Sequence, residues 1–216
     1  MRCCDCESIG AQFGPDAAAR DLRRLRRRGP LRSTRFLIED LQRSEINGAS
    51  LLDIGGGVGA IHHALLDAGA ATAVQVDLSA DYIASARDEA TRRRHTDRVR
   101  FVQGDFVSLA RELAVADIVT LDRVICCYPD METLVSRAAE KTHQLFGAVF
   151  PVDSWWMRLM VRAVNTLQRV RRSGFRVYVH TPAAIDAVLR RNGLERRTQR
   201  RTPFWDVVTY ARPHSR

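Results

Sequence analysis

Short apolar runs alternate along the chain with segments whose apolar residues recur every three or four positions. Residues 73–77, 99–106, 117–122 and 145–151 read as buried strands, and the run 51–60 reads as a strand that turns tightly into a helix. Helical periodicity covers 61–68, 79–94, 130–142 and 182–192, the last stopped by Gly193. This alternation predicts a parallel sheet with helices on both faces, a three-layer α/β fold. Residues 194–200 and 204–211 follow with no helix between them, so they should pair as an antiparallel hairpin and complete a seven-stranded sheet. Ahead of the first strand, 16–28 and 32–41 read as two helices broken by Gly29-Pro30.

A length of 216 residues with 45% hydrophobic content suits one domain. Its expected parts are an N-terminal tail and helices (1–48), a core (49–153), a helical insertion after the fifth strand (154–180), and a last helix with the hairpin (181–216).

The segment Leu51-Leu52-Asp53-Ile54-Gly55-Gly56-Gly57-Val58-Gly59-Ala60 holds the first candidate chemistry. Gly55, Gly57 and Gly59 lack a Cβ, so the backbone can take positive φ and lie against a ligand that side chains would push away. The ligand expected there is a nucleotide-like small molecule. Two glycine loops compete, beside the bland reading of a turn with no ligand. Gly55-x-Gly57-x-x-Ala60 fits the dinucleotide fingerprint, with Asp77 close to the distance expected of a ribose-binding acid. That reading has no use for Asp53. With Asp53 the run becomes Asp-x-Gly-x-Gly-x-Gly, which resembles the first motif of the class I S-adenosylmethionine (SAM)-dependent methyltransferases. A cofactor with an ammonium and a sulfonium, and no pyrophosphate, favours a carboxylate and carbonyls around its loop.

The resemblance extends over about residues 49–150 with specific motifs and is one of fold elsewhere. It implies that Asp77, closing the second strand, accepts from both ribose hydroxyls, a task for which a carboxylate has paired acceptors. Gly104-Asp105-Phe106 resembles the adenine-binding corner, with Asp105 accepting from the exocyclic amine. Asp122, closing the fourth strand, is placed by the same resemblance beside the methionine part and the transferred methyl. The implied SAM site therefore comprises Asp53, Gly55, Gly57, Gly59, Asp77, Asp105, Phe106 and Asp122, with Asp122 also positioning the reacting groups. Candidates for a base are Asp122, Tyr128, His143 and His180, with His62 and His63 just inside the glycine loop, and the sequence selects none of them. Cys126 and Cys127 are expected to pack as small apolar residues behind the site.

Charge changes the picture less than its size suggests. The net charge of +9 rests on 34 basic residues, of which only Lys141 is lysine. The arginine runs are scattered and carry little aromatic interleaving, so a solvated basic surface explains them better than a nucleic-acid groove. After the fourth strand, nucleic-acid amino-methyltransferases carry Asn/Asp-Pro-Pro-Tyr/Phe, whereas Asp122-Arg123-Val124-Ile125-Cys126-Cys127-Tyr128-Pro129 stands here. The single lysine also weakens the dinucleotide reading, because short-chain dehydrogenases use Tyr-x-x-x-Lys and Lys141 follows no tyrosine at that spacing. Tyr128-Pro129 resembles the magnesium-protoporphyrin O-methyltransferases, but Cys127 replaces the histidine of their Ile-His-Tyr-Pro and counts against a tetrapyrrole. Five cysteines in two clusters make no disulfide framework, and Cys3, Cys4 and Cys6 lack the spacing of a metal site. No bilayer-spanning or signal-like segment is present, so a cytoplasmic protein is expected and no metal is assigned.

Residues 155–172 stand outside the common pattern. Arg158, Arg162, Asn165, Arg169 and Arg172 recur on one side of a helix, and Trp156, Met160, Ala163, Leu167 and Val170 on the other. Three roles fit: a surface helix packing its apolar stripe, a lid over the substrate, or a peripheral membrane contact. The function expected from all of this is SAM-dependent methylation of an oxygen or nitrogen on a small molecule. An RNA-directed methyltransferase and a non-catalytic Rossmann-like binding protein are the alternatives.

Overall fold

A computed structural model describes residues 12–213. The expectation for Cys3, Cys4 and Cys6 falls outside the described residues. Two helices come first, α1 (Pro15–Arg28) and α2 (Arg32–Leu41). Strands and helices then alternate: β1 (Ser50–Ile54), α3 (Ala60–Asp67), β2 (Thr72–Asp77), α4 (Ala80–Arg93), β3 (Val99–Gln103), the short α5 (Phe106–Leu109), β4 (Ala116–Asp122), α6 (Met131–Glu140) and β5 (Thr142–Pro151). The chain ends with α7 (Trp155–Val170), α8 (Pro182–Arg191), β6 (Glu195–Arg201) and β7 (Trp205–Ala211).

The seven strands form one sheet in the order β3-β2-β1-β4-β5-β7-β6. The pairings from β3 through to β5 are parallel, and β7 lies antiparallel between β5 and β6. The hairpin expected at the C-terminus is thus present, with its second strand inside the sheet. The inner strands are almost continuously buried, as both faces require. Leu37, Leu41, Ile61 and Leu65 from α2 and α3 fill one face, and Leu134, Val135, Ile185 and Leu189 from α6 and α8 the other. Because β2 and β3 run outward on one side of β1 and β4 and β5 on the other, the chain reverses its winding between β1 and β4. In open α/β sheets that reversal leaves a crevice beyond the carboxyl ends of the strands.

Two boundaries differ from expectation for local reasons. The strand read as 99–106 stops at Gln103, because Gly104 takes φ 146° and Asp105 turns to cap α5, accepting from Val107 and Ser108 N–H. At the other side, β5 begins at Thr142, three residues earlier than its apolar run, since Thr142 pairs with Ala116.

Helix α1 is fastened over the glycine loop by charge and packing. Ala18, Leu22 and Leu25 pack with Val58 and Tyr82. Arg26 donates to the fully buried Glu89 at 2.9 Å and to Asp88 at 2.8 Å, and Arg92 and Arg93 close on the same Glu89. Burial works against the Glu89 charge, but the three guanidiniums outweigh it and hold the carboxyl well below the usual range. Removing that charge leaves Arg92 without a carboxylate, and leaves Arg26 and Arg93 with only the exposed Asp88 and Asp67. Glu89→Gln should therefore lower the unfolding free energy by about 3 kcal/mol and speed tryptic cleavage within α1, both readable by urea titration and timed proteolysis. Unchanged cleavage would show that α1 is held by its apolar face alone.

Candidate active site

The glycine loop lies on two buried polar side chains. Asp53, 1% exposed, points down from β1, where Oδ1 accepts from Thr120 Oγ1 at 2.7 Å and Oδ2 lies 2.9 Å from His62 Nδ1. Gln75 on β2 donates to the Gly57 carbonyl at 2.7 Å. A Cβ on Gly56 would meet Asp53 Oδ2 at 2.7 Å and Gln75 Cγ at 3.0 Å, so the loop rests directly on both. Gly55, at φ 62°, comes against Val124, into which a side chain would collide. Gly59, at φ 86°, starts α3 and covers the rings of His62 and His63 at 2.7 and 2.8 Å from where its Cβ would be.

Beyond the loop a cavity of about 390 Å³ opens at the carboxyl ends of the strands. Gly55, Gly57, Asp77, Asp105, Phe106 and Asp122 all line it. Asp53 lies beneath, on the wall of an adjoining crevice of about 90 Å³, and Gly59 lines neither space. Asp77 Oδ2 accepts from Gly57 N–H at 3.0 Å and Oδ1 from Ser79 N–H at 2.9 Å, leaving one acceptor position on each oxygen for a ligand. Burial raises its pKa, and those two backbone bonds oppose the shift. Asp105 keeps its capping bonds and also accepts from Tyr128 Oη at 3.3 Å. Asp122 accepts from Thr34 Oγ1 at 2.6 Å and from Arg123 Nε at 3.1 Å. Arg123 is half-buried with φ 62°, and although burial disfavours its charge, Asp122 beside it raises the guanidinium pKa further.

Several lining residues were not anticipated. Phe13, Asp21, Tyr82, Arg123, Val177 and Trp205 complete the wall. Asp21 was legible in principle: it falls between Ala18 and Leu25 on the buried row of α1, where an acid is out of place unless it has a partner. The partner is Tyr82, whose Oη donates to it at 2.6 Å. The cavity thus gathers four carboxylates, Asp21, Asp77, Asp105 and Asp122, against the single Arg123.

Residues 52–143 match the methyltransferase domain family. The fold matches magnesium protoporphyrin IX methyltransferase (ChlM) from Synechocystis PCC 6803 at 18% identity and TM-score 0.72, over 96% of this chain and all of that one. The chain has the Rossmann-like fold of the class I methyltransferases. An O-methyltransferase family protein from Burkholderia thailandensis aligns at 16% identity and TM-score 0.69, over 91% of this chain and 59% of that one. The cyclase SpnF shares the architecture too, at 14% identity and TM-score 0.63, over 83% of this chain and 81% of that one. At such identities the likeness is one of fold. No curated protein matches the sequence at a significant level.

Among the candidate bases, the structure brings Asp122 and Tyr128 to the cavity wall and none of the histidines. His180 donates from Nε2 to the Tyr128 backbone carbonyl at 3.1 Å, so its Nε2 carries the proton. His143 pairs with Asp117 at the opposite ends of the strands. His62 and His63 are fully buried beneath the loop, away from any substrate. Cys126 and Cys127, expected behind the site, line the cavity itself. The Cys126 thiol is pushed up by its contact with Cys127 and by burial, which keeps it protonated.

Burial of His63 under the loop should make the fold acid-sensitive. Burial, with like-charge repulsion from His62 and His95, lowers the pKa of His63 from 6.5 to about 2. The unfolded chain takes up this proton once pH falls below 6.5 and the folded chain only near 2, so the stabilisation is complete above 6.5 and lost progressively on acidification. At 1.36 kcal/mol per pH unit, His63 should remove about 2 kcal/mol of stability between pH 6.5 and 5. Denaturant titrations across that range should show this slope, and His63→Gln should flatten it; an unchanged slope in the variant would assign the acid sensitivity elsewhere.

Proposed function

We propose that the protein transfers the methyl group of SAM to an oxygen or nitrogen of a small molecule. The observation that carries this reading is the acid-lined cavity in a chain of net charge +9. Four carboxylates and one paired arginine repel a pyrophosphate and attract a cation. This disfavours a dinucleotide, and by the same electrostatics an RNA phosphate. It suits a ligand with an ammonium and a sulfonium. The Synechocystis neighbour was solved with SAM and with SAH bound, which supports the same cofactor here.

The residues fit the cofactor part by part. Gly55 and Gly57 keep the loop low enough for a ligand to lie across it, and Asp53 with Gln75 fixes the loop from below. Asp77 presents two acceptor positions to the ribose hydroxyls, and new hydrogen bonds to its carboxylate offset the burial that raises its pKa. Phe106 offers an apolar face for the adenine, with Asp105 at its edge. Asp122, steadied by Thr34 and Arg123, stands where the methionine end would lie. SAM, when bound, supplies a methyl on a sulfonium that leaves as a neutral thioether. The protein's task is then alignment, and holding nucleophile, methyl and sulfur in line removes roughly 7–11 kcal/mol of the barrier. Cys126, Cys127, Tyr128, Val177 and Trp205 make an uncharged acceptor wall suited to a small organic molecule.

Calorimetry should detect one site for SAM or its demethylated product and none for NAD. Asp77→Ala should weaken that binding at least tenfold, since each hydrogen bond to a charged group is worth about 1.5–3 kcal/mol. Asp117→Ala serves as control, because Asp117 binds Ser50 and His143 away from the cavity. Incubation with methyl-labelled SAM and a cell extract should place label in the small-molecule fraction. Label in RNA, or NAD binding without SAM, would overturn the reading.

A further inference from the structure

Helix α7 turns only a narrow face to the protein. Met157 and Val161 are its buried side chains, packed with Val152, Trp156, Val177 and Val179. Asn165 anchors the same side through two hydrogen bonds to the Val177 backbone, at 2.8 and 2.9 Å. Most of the apolar stripe points outward, away from the sheet. Trp155 is 78% exposed, Leu159 58%, Leu167 49% and Val170 75%, with Met160 and Val164 beside them. At 100° per residue these side chains form one continuous band, next to the buried row and not part of it. The band runs on to the exposed Phe204, whose ring meets Trp156 edge-on at 5.6 Å. Among the described residues, every strongly exposed large apolar side chain except Val115 belongs to this patch. Scattered surface leucines need no explanation, but a contiguous patch marks an interaction surface.

Charge identifies what covers it. Residues 154–185 contain no aspartate or glutamate and six arginines. Arg158 pairs with Asp153, while Arg162, Arg169, Arg171 and Arg172 meet no carboxylate among the described residues. Arg158, Arg162 and Arg169 share the helix row bordering Trp155 and Leu159, so cations edge the apolar band. A second copy docked on the same face would bring two such unpaired arginine sets together. Nucleic acid would meet the arginines and leave the indole and leucines in water. An anionic lipid surface satisfies both at once, taking the side chains into the headgroup–acyl boundary and the guanidiniums to lipid phosphates. No helix among the described residues is long and apolar enough to cross a membrane, so the contact lies along the surface.

We propose that α7, with Phe204, docks the protein on an anionic membrane surface. Val177, which Asn165 clamps to the helix, also lines the cavity, so the docked face adjoins the site. Docking requires neither SAM nor methyl transfer, and its test is independent of both. The full chain should float with phosphatidylglycerol–phosphatidylcholine vesicles and bind phosphatidylcholine vesicles at least tenfold more weakly, with Trp155 emission shifting to the blue on binding. Leu159→Glu with Leu167→Glu, both at exposed positions, should reduce binding at least tenfold without changing the melting temperature. Each arginine brought to an anionic surface is worth roughly fivefold, so Arg162→Gln with Arg169→Gln should cost on the order of twentyfold. Failure of the wild type to float, or binding that neither pair of substitutions weakens, would overturn the proposal. So would light scattering that finds a stable dimer dissociated by the glutamate pair.

Discussion

A carboxylate shut away from water governs the geometry of this site. Asp53 is held between Thr120 and His62 directly under the glycine loop, and Gly56 sits so close above it that a side chain there would collide with its carboxylate. A buried charge of this kind is tolerated only when its oxygens are satisfied, and losing a partner costs a few kcal/mol. The loop's height sets where Gly57 N–H meets Asp77, and that bond in turn orients the acid facing the cavity. A position that the motif offers as a ligand thus works one layer deeper, as the support for the residues that line the cavity.

The second constraint is electrostatic. A chain with 33 arginines spends many of them on its own carboxylates: Glu89 draws three, Asp206 holds Arg201, and Asp122 holds Arg123. Asp77 and Asp105 make no such ion pair among the described residues and are bonded instead to backbone and hydroxyl donors. A negative recess in a positive protein is a selective environment. It raises the local concentration of cationic ligands and excludes phosphates that the surface would otherwise attract.

Much of the fold was legible in the sequence because its signals are local. Buried parallel strands announce themselves as apolar runs, and caps at Ser79, Asp130 and Thr181 lie where helices begin. Asp77, Asp105, Phe106 and Asp122 could be gathered into one site because each ends, or follows, a strand whose carboxyl end faces the same way. What spacing could not reveal was side-chain direction. Nothing in the motif tells that Asp53 turns down toward His62, that Asp105 spends part of its acceptors on α5, or that Cys126 and Cys127 face the cavity. The role of α7's wide apolar stripe stayed open in the sequence for a similar reason. A helix apolar around more than half its circumference packs through whichever row its neighbours present, here Met157 and Val161, and leaves the rest to solvent.

The central claim is that the cofactor occupies the space between the glycine loop, Asp77 and Asp105, supported from below by Asp53. Amide hydrogen exchange measured with and without saturating S-adenosylhomocysteine tests this most directly. Residues 55–59, 77–79 and 104–108 should gain protection together, and the strand starts around Asp117 and Thr142 should not change. A second cavity of about 410 Å³ lies on the other side of the sheet's C-terminal edge, lined by Asp40, Arg43, Arg197 and Arg212. Protection confined to that region, with the glycine loop unaffected, would contradict the account.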